Sequence, residues 1–187
     1  MAEDRATMDE TAASEPPYLR SAPPLARFVF RGDAMGEAKA GEAFGLGFPE
    51  AINRAASKGE RGKPGGRVAL RLGPDELLLI APVSEGQAVF AAIGTACTDI
   101  PHALVDISDR HLGFVLEGPD GADVLNAGCP LDLSLPAFPV GMATRTLFHK
   151  AEIVLWRMEP RLFRIEVGRS FAPYLEASLR IAMNEAR

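Results

Sequence analysis

Three histidines and two cysteines are the side chains best suited to bind a metal or act as nucleophiles. His102, His111 and His149 are far apart in the sequence, and no HxH, HExxH or Cys–His cluster joins them. Cys97 falls on the apolar stripe of a predicted helix, which indicates core packing. A pairing of Cys129 with His149 or His102 stays open, although no local signature supports it. The sequence therefore predicts no metal site and no catalytic residue.

Glycine-rich segments raise the question of nucleotide binding. Residues 59–66 contain four glycines but lack the Gly-Lys-Ser/Thr ending of a phosphate-binding loop. The segment also precedes a predicted strand, whereas a phosphate site needs amides at the start of a helix. It therefore predicts a loop before a strand. Because the sequence also has no GxGxxG turn between a strand and a helix, we expect this chain to bind no flavin or other cofactor itself.

A weak cluster of basic residues near the C-terminus is the candidate interface, formed by Arg157, Arg161, Arg164 and Arg169. Glu159 and Glu166 lie among these arginines, so a solvated strand face is the alternative interpretation. A cation at the start of a helix is unfavourable. We therefore expect Arg169 to have an acidic partner, either Asp106 or Asp109 or a carboxylate on another chain, and a solvent-facing arginine is the alternative interpretation.

The composition indicates a globular protein. Of 187 residues, 47% are hydrophobic and 24% charged, which suits one domain with a sizeable core. The net charge of −5 argues against nucleic-acid binding through bulk charge. The sequence has no apolar run of about 20 residues that would span a membrane. Its acidic start lacks the apolar region of a secretory signal. Two cysteines are too few for a disulfide scaffold, so we expect a cytoplasmic protein with free thiols.

The chain divides into a tail and a domain. Residues 1–24 contain four prolines and an excess of acids, which predicts a disordered acidic tail. Residues 25–187 are predicted to form a single domain. Its strands are expected at 26–31, 68–72, 76–80, 103–107, 112–117, 145–149, 153–157 and 162–167, with a loop-rich stretch at 45–66. The order of strands and helices is not the strict alternation of a parallel sheet, so we predict an α+β fold with mostly antiparallel pairing.

The predicted helix starts and faces are specific enough to test. Ser84 and Gln87 predict a capping pair at the first long helix, and Ser170 predicts a cap for the last one. Phe171 begins the apolar stripe of that last helix and is expected to be buried against the sheet. In the preceding strand, three apolar residues alternate with Arg164 and Glu166, which predicts one solvated face.

Several segments in a fixed order resemble the gamma subunit of heterotetrameric sarcosine oxidase. The similarity covers about residues 25–187 and is most specific in the GCPLDL and RSFA segments. The matching segments are 72–79 (LGPDELLL), 105–110 (VDISDR), 116–119 (LEGP), 128–133 (GCPLDL) and 169–172 (RSFA), together with Gly141, Arg145 and Tyr174.

The resemblance implies a chain that works within a larger enzyme. Such complexes contain alpha, beta, gamma and delta subunits and oxidise sarcosine to glycine, with tetrahydrofolate accepting the methyl carbon. FAD, covalently attached FMN and NAD belong to the alpha and beta subunits. The resemblance therefore implies a cytoplasmic, non-catalytic gamma subunit that supports the complex. Its fold is implied to resemble the folate-binding domain of the glycine-cleavage T-protein, an aminomethyltransferase.

One position separates this sequence from the folate-binding relatives. Those domains place an acidic residue on the strand after the short helix, where it acts on the folate. The corresponding stretch here is 149–152, in which Glu152 is the one acid. The preferred interpretation is a folate-type fold retained as a structural subunit. A free-standing folate-binding one-carbon-transfer protein is the alternative, and a generic adaptor that uses the acidic tail is a third.

Overall fold

The computed structural model describes residues 17–58 and 66–185. This part of the chain contains ten strands, four α-helices and one 3₁₀ turn at Arg169–Phe171. The strands are β1 (Tyr18–Ser21), β2 (Leu25–Gly32), β3 (Arg54–Lys58), β4 (Arg67–Arg71), β5 (Glu76–Pro82), β6 (His102–Asp106), β7 (His111–Glu117), β8 (Ala143–Phe148), β9 (Ala151–Glu159) and β10 (Leu162–Gly168). The helices are α1 (Ala34–Phe44), α2 (Val83–Ala96), α3 (Gly121–Asn126) and α4 (Ala172–Glu185).

The strands form two five-stranded sheets in which every neighbouring pair is antiparallel. One sheet has the order β1-β7-β10-β9-β8 and the other β3-β4-β5-β2-β6. Helices α3 and α4 cover the outer face of the first sheet, and α1 and α2 cover the outer face of the second. The inner faces pack together around a third apolar cluster drawn from both sheets. The predicted α+β class and antiparallel pairing are confirmed.

The two sheets are joined along one side. Strands β3 and β8 meet there through the bridge between Arg54 and Met142, and the Ala55 amide donates to the Gly141 carbonyl at 2.8 Å. The apolar core between the sheets includes Leu78 and Trp156. This edge contact joins the two sheets on the side of β3 and β8.

The predicted tail is wrong over its last residues, because Tyr18–Ser21 forms strand β1. It pairs with β7 from Tyr18 opposite Glu117 to Ser21 opposite Phe114. The prolines flank this strand instead of interrupting it, and Leu19 is buried in the core at 5% exposure. The folded domain therefore begins before residue 25. Residues 1–16, which make up most of the predicted tail, lie outside the described residues.

Two elements were missed between Gly32 and Gly66. Helix α1 is capped by Asp33, whose Oδ1 accepts from the Gly36 amide at 2.8 Å, and it ends at Gly45 with a positive φ of 69°. Its glycines weaken the helical signal in the sequence. Strand β3 lies inside the predicted loop-rich stretch, where small and polar residues give little strand propensity.

The predictions for helices α2 and α4 were partly wrong. Helix α2 buries Val89, Ile93 and the adjoining Cys97 as expected, but its N-cap is Pro82 and no side chain caps it. Ser170 lies within the 3₁₀ turn, so it is not the N-cap of α4. That turn rotates Phe171 outward, and the ring is 46% exposed.

No helix among residues 17–58 and 66–185 is long and apolar enough to cross a membrane.

Candidate functional site between the two sheets

A buried cluster of charged side chains links the two sheets. Arg27 of β2 donates through Nε to Glu166 Oε2 of β10 at 2.6 Å, and Arg164 donates through Nε to Glu166 Oε1, also at 2.6 Å. Glu166 is 1% exposed and both arginines are similarly buried. Arg27 also donates through Nη1 to the Leu25 carbonyl at 2.8 Å. We call this cluster the buried triad.

The buried triad corrects the prediction that β10 has one solvated face. The face that carries Arg164 and Glu166 is covered by the second sheet, so both faces of the strand are buried. Charge is tolerated there because Glu166 is bonded by two guanidinium groups, which offsets part of its desolvation. Polar and apolar residues do alternate along β10, but the polar face meets ion-pair partners between the two sheets instead of solvent.

Gly113 provides the space for the buried triad. It lies opposite Glu166 on the neighbouring strand β7. A Cβ added to Gly113 would lie 2.9 Å from Glu166 Oε1 and 3.0 Å from Arg164 Nη2, closer than such atoms normally approach. Because residue 113 has no side chain, the Glu166 carboxylate and the Arg164 guanidinium can lie directly over strand β7.

Hydrogen bonds extend from the buried triad to the turn between β6 and β7. The Arg27 amide donates to Ser108 Oγ at 2.9 Å, and Ser108 in turn donates from Oγ to Asp106 Oδ1 at 2.6 Å. His111 follows this turn. Burial lowers the pKa of His111, while the negative charge of Glu166 acts in the opposite direction. Within the described chain, His111 Nδ1 is buried without a hydrogen-bond partner, which fits a neutral imidazole.

A cleft of about 760 Å³ lies between the two sheets and is lined by residues of both. Its floor is apolar and includes Val29, Leu78 and Val154. Its charged lining consists of four cations and two carboxylates: Arg110, Arg145, Lys150, Arg169, Glu76 and Glu152. We call this space the inter-sheet cleft. Its lining carries more positive than negative charge, although the chain as a whole is acidic.

The two carboxylates of the inter-sheet cleft are already paired. Arg145 lies between Glu76 and Glu152 and forms an ion pair with each, the one to Glu152 at 3.0 Å. Glu76 also pairs with Arg31. These groups are partly exposed, so the pairs lie in a solvated environment at the mouth. The cations Arg110 and Lys150 are different: among the described residues, neither has a carboxylate within salt-bridge distance.

The four arginines predicted as an interface do not form one surface. Arg157 and Arg164 are buried, while Arg161 and Arg169 are exposed. The Arg157 guanidinium lies 4.5 Å from the centroid of the Phe163 ring and donates to the Leu133 carbonyl. Burial lowers its pKa. Arg157 and Arg164 therefore hold the interior together, and they are not available to a partner on the surface of the chain.

Arg169 has a different partner from the one expected. Its Nε donates to the main-chain carbonyl of Asp109 at 2.6 Å, not to a carboxylate. Its amide also donates to the Arg110 carbonyl at 2.8 Å. Arg169 thus ties the 3₁₀ turn to the turn before β7, and it lines the inter-sheet cleft.

Of the two cysteines and three histidines, Cys129 and His149 line the same surface depression, and in the described chain no hydrogen bond joins their side chains. Cys97 is buried, its Sγ lies 3.7 Å from the Gly36 carbonyl, and burial raises the pKa of its thiol. The Cys129 Sγ lies 3.7 Å from Thr146 Oγ1, while His149 is exposed beside the same surface depression. In the part of the chain that the structure describes, no three metal-ligating side chains cluster together.

Sequence reasoning missed the buried triad. Arg27 sits inside an otherwise apolar strand segment, and Gly113 interrupts a run of strand-forming residues. Each was a signal, since a charge in a buried strand needs a partner and a glycine in a strand often marks a close approach. Pairing Arg27 with Glu166 requires contact across 139 residues, which no local pattern specifies.

Comparisons with known proteins agree in sequence and in structure. The model of the "Sarcosine oxidase, gamma subunit family" matches residues 31–185. Sarcosine oxidase subunit gamma of Corynebacterium sp. (strain P-1) is 35% identical over 150 residues, which cover 80% of this chain and 70% of that protein. The corresponding subunit of an Arthrobacter species is 34% identical over 124 residues, 66% of this chain and 58% of that protein.

Solved structures give the same result. A chain of the heterotetrameric sarcosine oxidase from Corynebacterium sp. U-96, determined in complex with pyrrole 2-carboxylate, superposes with a TM-score of 0.81 at 31% identity. The match covers 91% of this chain and 85% of that one. Aminomethyltransferase T from Bartonella henselae shares the fold, with a TM-score of 0.65 at 18% identity over 88% of this chain and 45% of that protein. The chain belongs to the sarcosine oxidase gamma subunit family.

Proposed function

We propose that this chain is the non-catalytic gamma subunit of a heterotetrameric sarcosine oxidase, assembled with alpha, beta and delta subunits. The complex would oxidatively demethylate sarcosine to glycine, with tetrahydrofolate as the one-carbon acceptor. The observation that carries the proposal is the similarity, in sequence and in fold over nearly the whole chain, to a chain of a solved sarcosine oxidase heterotetramer.

The charged groups of the chain support a structural role. A general base needs a carboxylate that is free to accept a proton, at a pKa suited to the task. Glu166 is instead held by two guanidinium groups inside the molecule, and Glu152 is paired with Arg145 at the surface. Both carboxylates therefore stabilise the fold or its surface, and the chemistry belongs to other subunits.

The residues at the folate position do not suit folate chemistry. The resemblance to folate domains calls for an acid directed into a pocket, and Glu152 is the residue at that position. Its side chain is largely exposed and pairs with Arg145 at the mouth of the inter-sheet cleft. The free-standing one-carbon-transfer protein is for this reason the weaker candidate. FAD, FMN, NAD and tetrahydrofolate are accordingly assigned to the other subunits of the complex.

Two further features of the proposal concern location and docking. A cytoplasmic, reducing compartment suits Cys97 and Cys129, which are both buried and free. Of the four candidate interface arginines, the exposed pair, Arg161 and Arg169, remains suitable for contact with a partner. Arg157 and Arg164 are buried and bonded inside the domain.

Co-expression tests the proposed function. The alpha, beta and delta subunits would be produced with and without this chain, with an affinity tag on alpha, and the purified material assayed for sarcosine-dependent oxygen consumption and flavin content. We expect this chain to co-purify in stoichiometric amount and to raise the yield of active complex, while carrying no flavin when purified alone. Failure to co-purify, or sarcosine oxidation by this chain alone, would contradict the proposal.

A further inference from the structure

Two cations in the inter-sheet cleft have no internal role. Arg110 and Lys150 are exposed, and within the described chain neither side chain donates a hydrogen bond or forms an ion pair. By contrast, Arg145 is paired with two carboxylates and Arg169 is bonded to the Asp109 carbonyl. The unpaired positive charge of the inter-sheet cleft thus comes from Arg110 and Lys150.

Apolar side chains continue from the floor of the cleft to its rim. Leu147 is 47% exposed and Phe171 is 46% exposed, and both line the cleft. The Phe171 ring stands edge-on to Tyr174, which is also exposed, with 6.5 Å between ring centroids. A small ligand inside the cleft would leave these outward-facing residues in water. A polypeptide lying across the mouth would cover them, and exposed aromatic residues beside cations are typical of protein interfaces.

We propose that the inter-sheet cleft is the docking site for a segment of a partner subunit that carries carboxylate side chains among apolar ones. The carboxylates would pair with Arg110 and Lys150, and the apolar side chains would cover Leu147, Phe171 and the cleft floor. This inference rests on the proposed function, and it identifies which face of the chain enters the complex. Charge complementarity selects an acidic partner segment, because the cleft is cationic on an otherwise acidic chain.

The test is charge reversal at the two unpaired cations. The double variant Arg110→Glu/Lys150→Glu would be co-expressed with the other three subunits, and its incorporation compared with that of wild type by titration of purified subunits. Lys39→Glu/Arg180→Glu is the control for net charge, because it makes the same change in charge at exposed positions of α1 and α4, where it also removes the solvated ion pair between Arg180 and Glu176. We expect the cleft variant to assemble at least about 10-fold more weakly and the control to assemble normally.

Two additional measurements separate docking from folding. The thermal midpoint of the isolated cleft variant should match that of wild type, since Arg110 and Lys150 stabilise nothing inside the chain. Raising the salt concentration should weaken assembly of the wild type more than that of the cleft variant, because the attraction between the opposite charges is screened.

The outcomes are distinguishable. Normal assembly of the cleft variant would overturn the inference and leave the proposed function intact. Failure of the wild-type chain itself to assemble would overturn the proposed function, and the inference with it. If the cleft variant instead lost a homodimer of the isolated chain while still assembling, the cleft would belong to a second copy, and the proposal would be wrong.

Discussion

The two ends of the space between the sheets contain the same kinds of charged residues in opposite surroundings. At the closed end, Glu166 is buried between Arg27 and Arg164. At the open end, Arg145 lies between Glu76 and Glu152, and all three are at least partly accessible to solvent. Each end therefore has a central charge held by two groups of the opposite sign.

Burial decides what each arrangement does. Removing one member of a buried ion pair leaves uncompensated charge in the interior and typically costs about 3–5 kcal/mol. A solvated pair contributes roughly 0–1 kcal/mol, because water and salt screen it and its side chains lose entropy. The buried triad therefore fixes how the two sheets pack against each other. The ion pairs at the mouth of the inter-sheet cleft can change at little cost to the stability of the fold.

The largest effect is expected for Glu166→Gln. The substitution keeps the shape but leaves Arg27 and Arg164 as buried cations without a counter-charge. We expect the free energy of unfolding to fall by about 3–5 kcal/mol in urea denaturation. Glu152→Gln makes the same change at the open end and should lower it by less than about 1 kcal/mol. Equal effects of the two substitutions would contradict the comparison.

Gly113→Ala tests the same region without removing a charge. The new methyl group would clash with Glu166 Oε1 and Arg164 Nη2, so the ion pair must shift. We expect a loss of about 1–3 kcal/mol, the usual cost of overpacking. Gly168→Ala is the matched control, because a Cβ there meets no atom within 4 Å. A Gly113→Ala protein as stable as the control would show that the close packing over residue 113 is unimportant.

The pH dependence of stability provides a third test. Burial lowers the pKa of His111 in the folded chain. At a pH just below the ordinary histidine pKa of 6.5, this residue therefore binds a proton more readily in the unfolded chain than in the folded one. The contribution of neutral His111 to the free energy of unfolding should therefore be fully present above about pH 6.5 and should decline as the pH falls below that value.

The control for this pH test is another histidine. His111→Gln should remove part of the decline in stability, seen as a flatter dependence of the urea midpoint on pH. His149→Asn, which changes an exposed histidine, should leave the decline in place. If both variants follow the wild-type curve, His111 does not contribute.

A small effect on stability is also expected for Arg145→Ala. The substitution breaks two ion pairs at once, but both are solvated, so we expect the free energy of unfolding to change by less than about 1 kcal/mol. The change should shrink further in 0.5 M salt if the pairs act through charge. A loss comparable with that of Glu166→Gln would mean that the open end also holds the sheets together.

The sequence predicted those parts of the fold that depend on local pattern. The hairpin of β4 and β5 follows from two apolar runs around Gly73, and the buried face of α2 follows from the spacing of Val89, Ile93 and Cys97. The antiparallel class follows from the order of the elements. These features depend on residues that lie close together in the chain, where turn chemistry and periodicity apply.

The site could not be predicted in the same way. Alternation in β10 correctly separates Arg164 and Glu166 from the apolar face, but it cannot show that a second sheet covers them. In the sequence, Phe171 continues the apolar stripe of α4. In the structure it belongs to the 3₁₀ turn that ends just before α4 begins at Ala172, so its side chain does not lie on that stripe. The first error arises because tertiary packing, not local pattern, determines what covers a face, and the second because a 3₁₀ turn instead of an α-helical one places Phe171.

Hydrogen exchange of this chain, alone and within the assembled heterotetramer, tests most directly the claim that the open end serves assembly and the closed end serves the fold. We predict that amides of segments 108–111, 147–151 and 168–174 exchange at least about 10-fold more slowly in the complex, because a partner covers the inter-sheet cleft. Amides of β10 around Glu166 should be protected in both states. Protection confined to the outer face of α1 and α2, with the cleft segments unchanged, would contradict the claim.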